Sequence, residues 1–347
     1  MPKIEKKLLL WIDQKKEILF VLAMAAVSLL MRFPLRNVQA GNMPGKLAAT
    51  FCDYLLAGSV AAMVYFFAKA DIWRKRKMAL AFAVILFAPG LVFSSAVYGY
   101  GDSFLILLLL WTAMLLLRGR SLPALCLLGL AAGLDLRALF LLPFAVFMYG
   151  YRKDFSILCI PAGAAVAGAV RFSDRFTGYR LAGWFRMHEY VPGSLYQQTP
   201  SFWAMFEGEK AGTFSEYAPA AAVLMILALI GTGMLIAVRR ESFSNGNGWF
   251  VILLFALTGG FLLPGAGAGA LLFAEVLAIL AAFFEPKTMP LAVLLHMTDV
   301  ILFAAQRYGG DWMPLNLQGL SLLTLAVLLA YFAFYTGCVT RDRGDVT

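Results

Sequence analysis

Apolar runs long enough to cross a bilayer recur from one end of this 347-residue chain to the other. A spanning helix needs roughly 20 mostly apolar residues. Each such run must satisfy its own backbone hydrogen bonds, so only helices and closed barrels are possible. Barrel strands alternate apolar and polar residues, and these runs are continuous. The chain therefore reads as an all-α polytopic membrane protein forming one transmembrane domain over 1–347. Composition agrees: 61% of residues are hydrophobic and only 14% are charged, against roughly 25% in soluble domains.

The net charge of +9 does not point to nucleic acid. Lys and Arg fall in short clusters between apolar runs, such as "RKRK" at 74–77. That pattern marks cytoplasmic loops, and no basic stripe interleaves with aromatics. The four cysteines are far apart and read as small buried hydrophobes. His188 and His296 have no partner at metal-ligand spacing. No metal site or cofactor is expected. The run after the first lysines reads as a retained helix rather than a cleaved signal peptide.

Placing the basic clusters on one side orders the helices. The expected segments are 17–33, 47–69, 78–97 and 104–117, with Asp102 on the outer side before the fourth. Between Arg120 and Arg152 lie too few residues for two full spans, which need roughly 40. Two short helices meeting at a polar tip, "GLDLRALFLLP", fit there. Asp135 and Arg137 lie at that tip, and their pairing would lower the cost of both. A seventh helix over 155–170 and a long outer loop over 171–217 follow. Five more helices over 217–338 bring the total to about twelve, including the short broken pair, with both termini cytoplasmic. The expected location is the cell membrane, multi-pass, with the active face outward.

Asp102 admits two readings. An Asp at a helix start accepts orphan N–H groups and suits the helix dipole. It can equally be a carboxylate placed for chemistry. Asp135 and Arg137 are either a structural pair or part of a functional site, the default for ionisable residues at membrane depth.

Three stretches, "FCDYLLAGSVAAMVYFF", "FAPGLVFSSAVYGYGDSFLILLLLW" and "LLGLAAGLDLRALFLLPFAVF", resemble the polytopic GT-C glycosyltransferases. The likeness is to bacterial proteins similar to the GPI mannosyltransferase II group. Asp53 stands at that family's early second-helix aspartate. Ala88, Pro89, Tyr98, Gly99, Tyr100, Asp102 and Ser103 follow its Asn-Pro to Trp-Gly-Gln-x-Asp-Ser run. Gly129, Ala131 and Leu141-Leu142-Pro143 follow the next segment, and Trp203 its outer-loop tryptophan. The resemblance covers 18–208. It implies a GT-C-like fold and an inverting transfer of a mannose-like sugar from a polyprenyl-phosphate donor. The acceptor would be a glycan or lipid. The partners implied are thus that lipid donor, the bilayer and the acceptor, with no nucleic acid.

By this resemblance Asp102, Asp53 and Asn42 are the catalytic positions. Arg36, Tyr98, Tyr100, Ser103, Asp135, Arg137, Gln198 and Trp203 are the substrate-binding ones. A carboxylate would take the acceptor proton, and basic groups would stabilise the leaving phosphate. The chain departs from the family at several points. The first-loop acid reads Asn42, the lysine of the next segment reads Asp135, and the outer-loop asparagines read Gln198 and Ser201. An amide cannot take a proton, so Asp102, Asp53 or Glu189 would carry the acid role, or the chain is a non-catalytic relative that binds lipid-linked glycan or assists a partner. A transporter or flippase, which also uses broken helices at membrane depth, is a further alternative.

Overall fold

The computed structural model describes residues 3–36, 43–67, 73–151, 156, 158–177, 200–206, 214–239, 247–265, 269–308 and 316–344. Structural statements refer to these residues. Their elements are all helical. In chain order they are α1 (Lys3–Leu35), α2 (Met43–Phe67), α3 (Arg74–Leu86) and α4 (Pro89–Val92). A π-helical turn, Phe93–Tyr98, continues α4. Next come α5 (Asp102–Leu117), α6 (Ser121–Leu134), a 3-10 turn (Leu136–Leu141), α7 (Leu142–Tyr151) and α8 (Cys159–Thr177). After a short 3-10 turn, Phe202–Phe206, the chain forms α9 (Phe214–Arg239), α10 (Asn247–Leu262), α11 (Leu272–Phe284), α12 (Met289–Tyr308) and α13 (Leu317–Gly344).

Five helical stretches are long and apolar enough to cross a membrane: Lys15–Leu35, Met43–Phe67, Tyr217–Val238, Pro286–Ala304 and Leu317–Gly337. A sixth forms if Arg74–Leu86 and Pro89–Tyr98, bent by 48° at their junction, count as one span. The other apolar helices are shorter. At 1.5 Å per residue α5 is about 24 Å long, less than the roughly 30 Å hydrocarbon core.

The core is built around α10 and α11. Every residue of α10 from Gly248 to Leu262 is buried, as is α11 from Leu272 to Ala281. No polar stripe is needed on either helix, which explains why their buried runs are apolar apart from Thr258 and Glu275. The outer helices present apolar side chains such as Leu30, Phe33, Val223, Leu227 and Met234 to the surroundings. For a helix in lipid that is the expected solvent match.

The sequence suggests an unbroken helix over 78–97, and here the structure differs. Pro89 has no N–H to donate, and its ring clashes with the carbonyl four residues earlier. The residue before it, Ala88, adopts an extended ψ of 118°, the usual conformation before proline. The helix ends at Leu86 and restarts at Pro89. The short pair at 121–151 matches expectation more closely. Asp135 is extended (φ −145°, ψ 123°) and caps the 3-10 turn by accepting from Arg137 N at 2.8 Å.

Candidate functional site

Two buried carboxylates, on α2 and at the start of α5, are held by neighbouring residues of the π turn. Asp53 lies about 15 Å along α2 from Met43, deep in the helix stack. It is 1% exposed. Arg32 of α1 pairs with its Oδ2. Ser95 donates to the same oxygen and Ser103 to Oδ1. The Arg32 guanidinium also reaches Ser95 Oγ (3.2 Å) and donates to the Leu86 carbonyl (2.9 Å). That last bond has a clear cause. The break at Pro89 interrupts the ladder in which this carbonyl would take part, and a carbonyl orphaned in an apolar interior costs about 1–3 kcal/mol. Arg32 thus neutralises Asp53 and satisfies the break together.

Asp102 belongs to an adjoining cluster. Ser94 Oγ donates to its Oδ2 at 2.7 Å. Arg137 Nη2 lies 3.6 Å from its Oδ1 and 2.6 Å from Asp135 Oδ2. Arg137 Nε also donates to Asp135 at 2.8 Å. The pairing expected at the polar tip is therefore present, and Asp102 joins it. The cap reading of Asp102 does not hold. The residue capping α5 is Gly101, no side chain bonds the helix end, and Asp102 is the first helical residue. It gains from the dipole there, but its oxygens serve Ser94 and face Arg137.

The two clusters are fastened twice. Ser94 and Ser95 are consecutive in the π turn and serve Asp102 and Asp53 respectively. Asp102 and Ser103 are consecutive in α5 and face the same two clusters. In an α-helix, consecutive residues point about 100° apart, so adjacent pairs can address two neighbouring sites. π turns often mark functional positions.

A cavity opens beside Asp102. Asp102, Arg137, Leu105, Phe140, Phe273 and Gly269 are among its walls. It measures about 20 Å³, which admits one water molecule, since a water needs about 10–15 Å³ on this measure. Gly269, in the α10–α11 connection, is close: a Cβ there would lie 3.2 Å from Asp102 Oδ2.

The remaining sequence-derived candidates scatter around this centre. Arg36 lies one helical turn beyond Arg32 on α1, just as Thr50 lies one turn before Asp53 on α2. Its contact there is long, 3.5 Å to Thr50 Oγ1, and its Nε has no hydrogen-bond partner among the described residues although the side chain is 8% exposed. Lys46 Nζ donates to the Arg36 carbonyl at 2.7 Å. Tyr98 and Tyr100 stack with ring centres 5.7 Å apart, across Gly99 at φ +72°. Trp203 is not at the carboxylates. Its Nε1 donates to the Leu262 carbonyl at 2.8 Å and closes the end of α10. Asn42, Gln198 and Glu189 lie outside the described residues.

Sequence reasoning missed Arg32, Ser94 and Ser95. It also missed a second ionisable group: Glu275, His296 and Asp299. Glu275 is 2% exposed and Asp299 0%, and His296 Nδ1 lies 3.2 Å from Glu275 Oε2. The signal was available. A lone acid inside "LLFAEVLAIL" and the i, i+3 pair in "HMTDV" are ionisable residues in apolar helices, which deserve a functional hypothesis by default.

No protein-family model, curated protein or solved structure matches the chain.

Proposed function

We propose that this protein is a membrane glycosyltransferase of GT-C-like architecture, with about twelve membrane segments and both termini on the cytoplasmic side. It uses a polyprenyl-phosphate-linked, mannose-like sugar at the Asp102 cavity, on the outer face. One observation carries the reading: Asp102 is a buried carboxylate that caps nothing, borders a cavity and stands beside a guanidinium.

The chemistry follows from that placement. The acceptor hydroxyl oxygen attacks the anomeric carbon from the face opposite the phosphate, inverting it. Asp102 takes the hydroxyl proton as general base. The anomeric C–O bond breaks and its electron pair leaves with the polyprenyl phosphate. Arg137, with Asp135 on its other side, cannot by itself offset a phosphate and a second carboxylate. Arg36 supports the reading from a different position, as a buried cation whose Nε–H has no hydrogen-bond partner among the described residues. It is the phosphate anchor in this proposal. Asp53 keeps Arg32 and Ser103 in place and does not touch the substrate. Sugar entry requires the walls at Leu105, Phe140 and Phe273 to separate, because the present space fits one water.

The test uses membranes containing the protein, a radiolabelled polyprenyl-phosphate mannose and a panel of lipid and glycan acceptors. Transfer that is lost in Asp102→Asn supports the reading. Absence of transfer to every acceptor overturns it.

A second reading rests on the closed cavity and on Asn42: a non-catalytic relative that binds lipid-linked glycan. Donor-lipid binding without transfer, unchanged in Asn42→Asp, distinguishes it.

A further inference from the structure

Glu275 on α11 and Asp299 on α12 converge on one backbone position, Gly90, at the restart of the broken helix, and His296 on α12 approaches Glu275. A Cβ built on Gly90 would lie 3.3 Å from Glu275 Oε2 and 3.4 Å from Asp299 Oδ2. It would also lie 2.8 Å from Leu272 Cδ2, inside any real contact. Only a residue without a side chain lets α4 lie against these acids. Both carboxyl oxygens meet at that one point, which sets Glu275 and Asp299 side by side, while Glu275 Oε1 has no hydrogen-bond partner among the described residues. Neither nitrogen of His296 completes a hydrogen bond there either, despite the 3.2 Å approach to Glu275.

A carboxylate can only accept. Two carboxylates in contact need a proton between them, and two like charges this close in a dry interior do not both persist. No Lys or Arg among the described residues forms an ion pair with Glu275. The elements packed around the group supply little charge. α4 and α10 carry none, and the basic residues of α3 sit at its opposite end, at 74–77. α13 carries Tyr331 and Tyr335, the 3-10 turn Pro286–Thr288 between α11 and α12 carries Lys287, which is exposed, with half-buried Glu285 before it, and Arg32, Asp53 and Asp102 belong to the site already described. The described residues include no group of three His, Cys, Asp or Glu arranged to hold a metal ion.

We propose that Glu275, Asp299 and His296 form a proton-binding site inside the membrane, built against the break in the helix that positions Asp53 and Asp102. One proton is shared by the two carboxyls, and His296 is placed to receive it from Glu275. Loss of that proton puts a second negative charge against Gly90, at the front of the ten-residue piece Pro89–Tyr98. Ser94 and Ser95, which hold the other two acids, lie four and five residues further along that same piece. This inference does not depend on the glycosyltransferase reading.

The experiment is infrared spectroscopy of the purified full chain in lipid nanodiscs at neutral pH. The expected result is a C=O stretch from a protonated carboxyl that shifts when the protein carries ¹³C-labelled glutamate. Glu275 is the only glutamate buried among the described residues, so the labelled band reports it without any substitution. The band is expected to be lost in Glu275→Gln, displaced in Asp299→Asn, and unmoved by sodium. No protonated-carboxyl band in the wild type overturns the proposal, as does a band that neither the label nor the two variants change. Replacement of the band by added sodium also overturns it, because the ligand would then be a metal cation.

Discussion

Removing the Arg32 side chain charge, as Arg32→Met, tests the architecture most directly. Arg32 does two jobs: it neutralises Asp53 and it satisfies the Leu86 carbonyl at the break. Breaking a buried ion pair by deleting one partner costs about 3–5 kcal/mol. Orphaning the carbonyl adds about 1–3 kcal/mol. The two serine donors remain on Asp53 and set the loss toward the lower end. A total of about 4–8 kcal/mol is a large part of the roughly 5–15 kcal/mol that keeps a domain folded. The double variant Arg32→Met/Asp53→Leu behaves differently. It has no unpaired charge; the Leu86 carbonyl and the Ser103 hydroxyl are left without these partners, and Ser95 loses both but keeps the Leu91 carbonyl at 2.9 Å. It is expected within about 1–3 kcal/mol of wild type. Reversible unfolding in mixed micelles, followed by circular dichroism, measures both. A single variant that loses under about 1 kcal/mol, or a double variant whose loss equals the sum of the singles, would refute the reasoning.

Asp102→Asn keeps an oxygen for Ser94 and leaves Arg137 paired with Asp135, so the expected stability loss is about 1–3 kcal/mol, from the helix dipole and the lost charge facing Arg137. Transfer, by contrast, should fall about 10²–10⁴-fold; equal transfer in the variant and wild type would sink the base assignment. Arg36→Gln should leave the thermal midpoint within a few degrees, because its one side-chain hydrogen bond among the described residues is a 3.5 Å approach to Thr50, yet weaken donor-lipid binding in a filter assay. Gly90→Ala should cost about 1–3 kcal/mol through overpacking against Leu272 and the two carboxyls, with Gly58→Ala, where the space is open, as the neutral control in the same melt.

Much of the helix layout was legible because it depends on local chemistry. Runs of apolar residues bounded by Arg and Lys locate α2, α5 and the short pair around Asp135 within a few residues. The polar tip was also readable, since Asp135 and Arg137 are two residues apart and too costly to leave unpaired in apolar surroundings. The break at Pro89 was readable in principle from proline's missing donor, but the apolar run hides it. Which groups meet was not legible. Arg32 and Asp53 are 21 residues apart, and Ser103 and Asp53 are 50 apart. No periodicity in one helix reports a partner on another. The same limit hid that Glu275 and Asp299 meet, although each stands out in the sequence as an acid inside an apolar helix. Asp102 stood out in the sequence as an acid at the start of an apolar helix, but its partners Ser94 and Arg137 come from other elements, and the π turn that carries Ser94 has no sequence signature.

The break explains why all three ionisable groups gather at one level. A proline-interrupted helix inside lipid exposes carbonyls that need donors, and a short restarted helix has no strong hold on its own position. Arg32 supplies the donor for Leu86, but a guanidinium so deeply buried then needs an acid, which is Asp53. Ser95 and Ser103 complete that acid's hydrogen bonds and thereby tie the restarted piece to α5. Ser94 repeats the tie through Asp102. On the opposite side Gly90 admits Glu275 and Asp299. The piece is therefore fixed by polar contacts at Ser94 and Ser95 and lies close against two acids at Gly90, rather than being held by apolar packing alone. Polar contacts change with protonation and with ligand charge, whereas apolar ones do not. A protein that needed only a static span would be better served by a straight apolar helix, which has no orphan carbonyl to satisfy and no acid to neutralise.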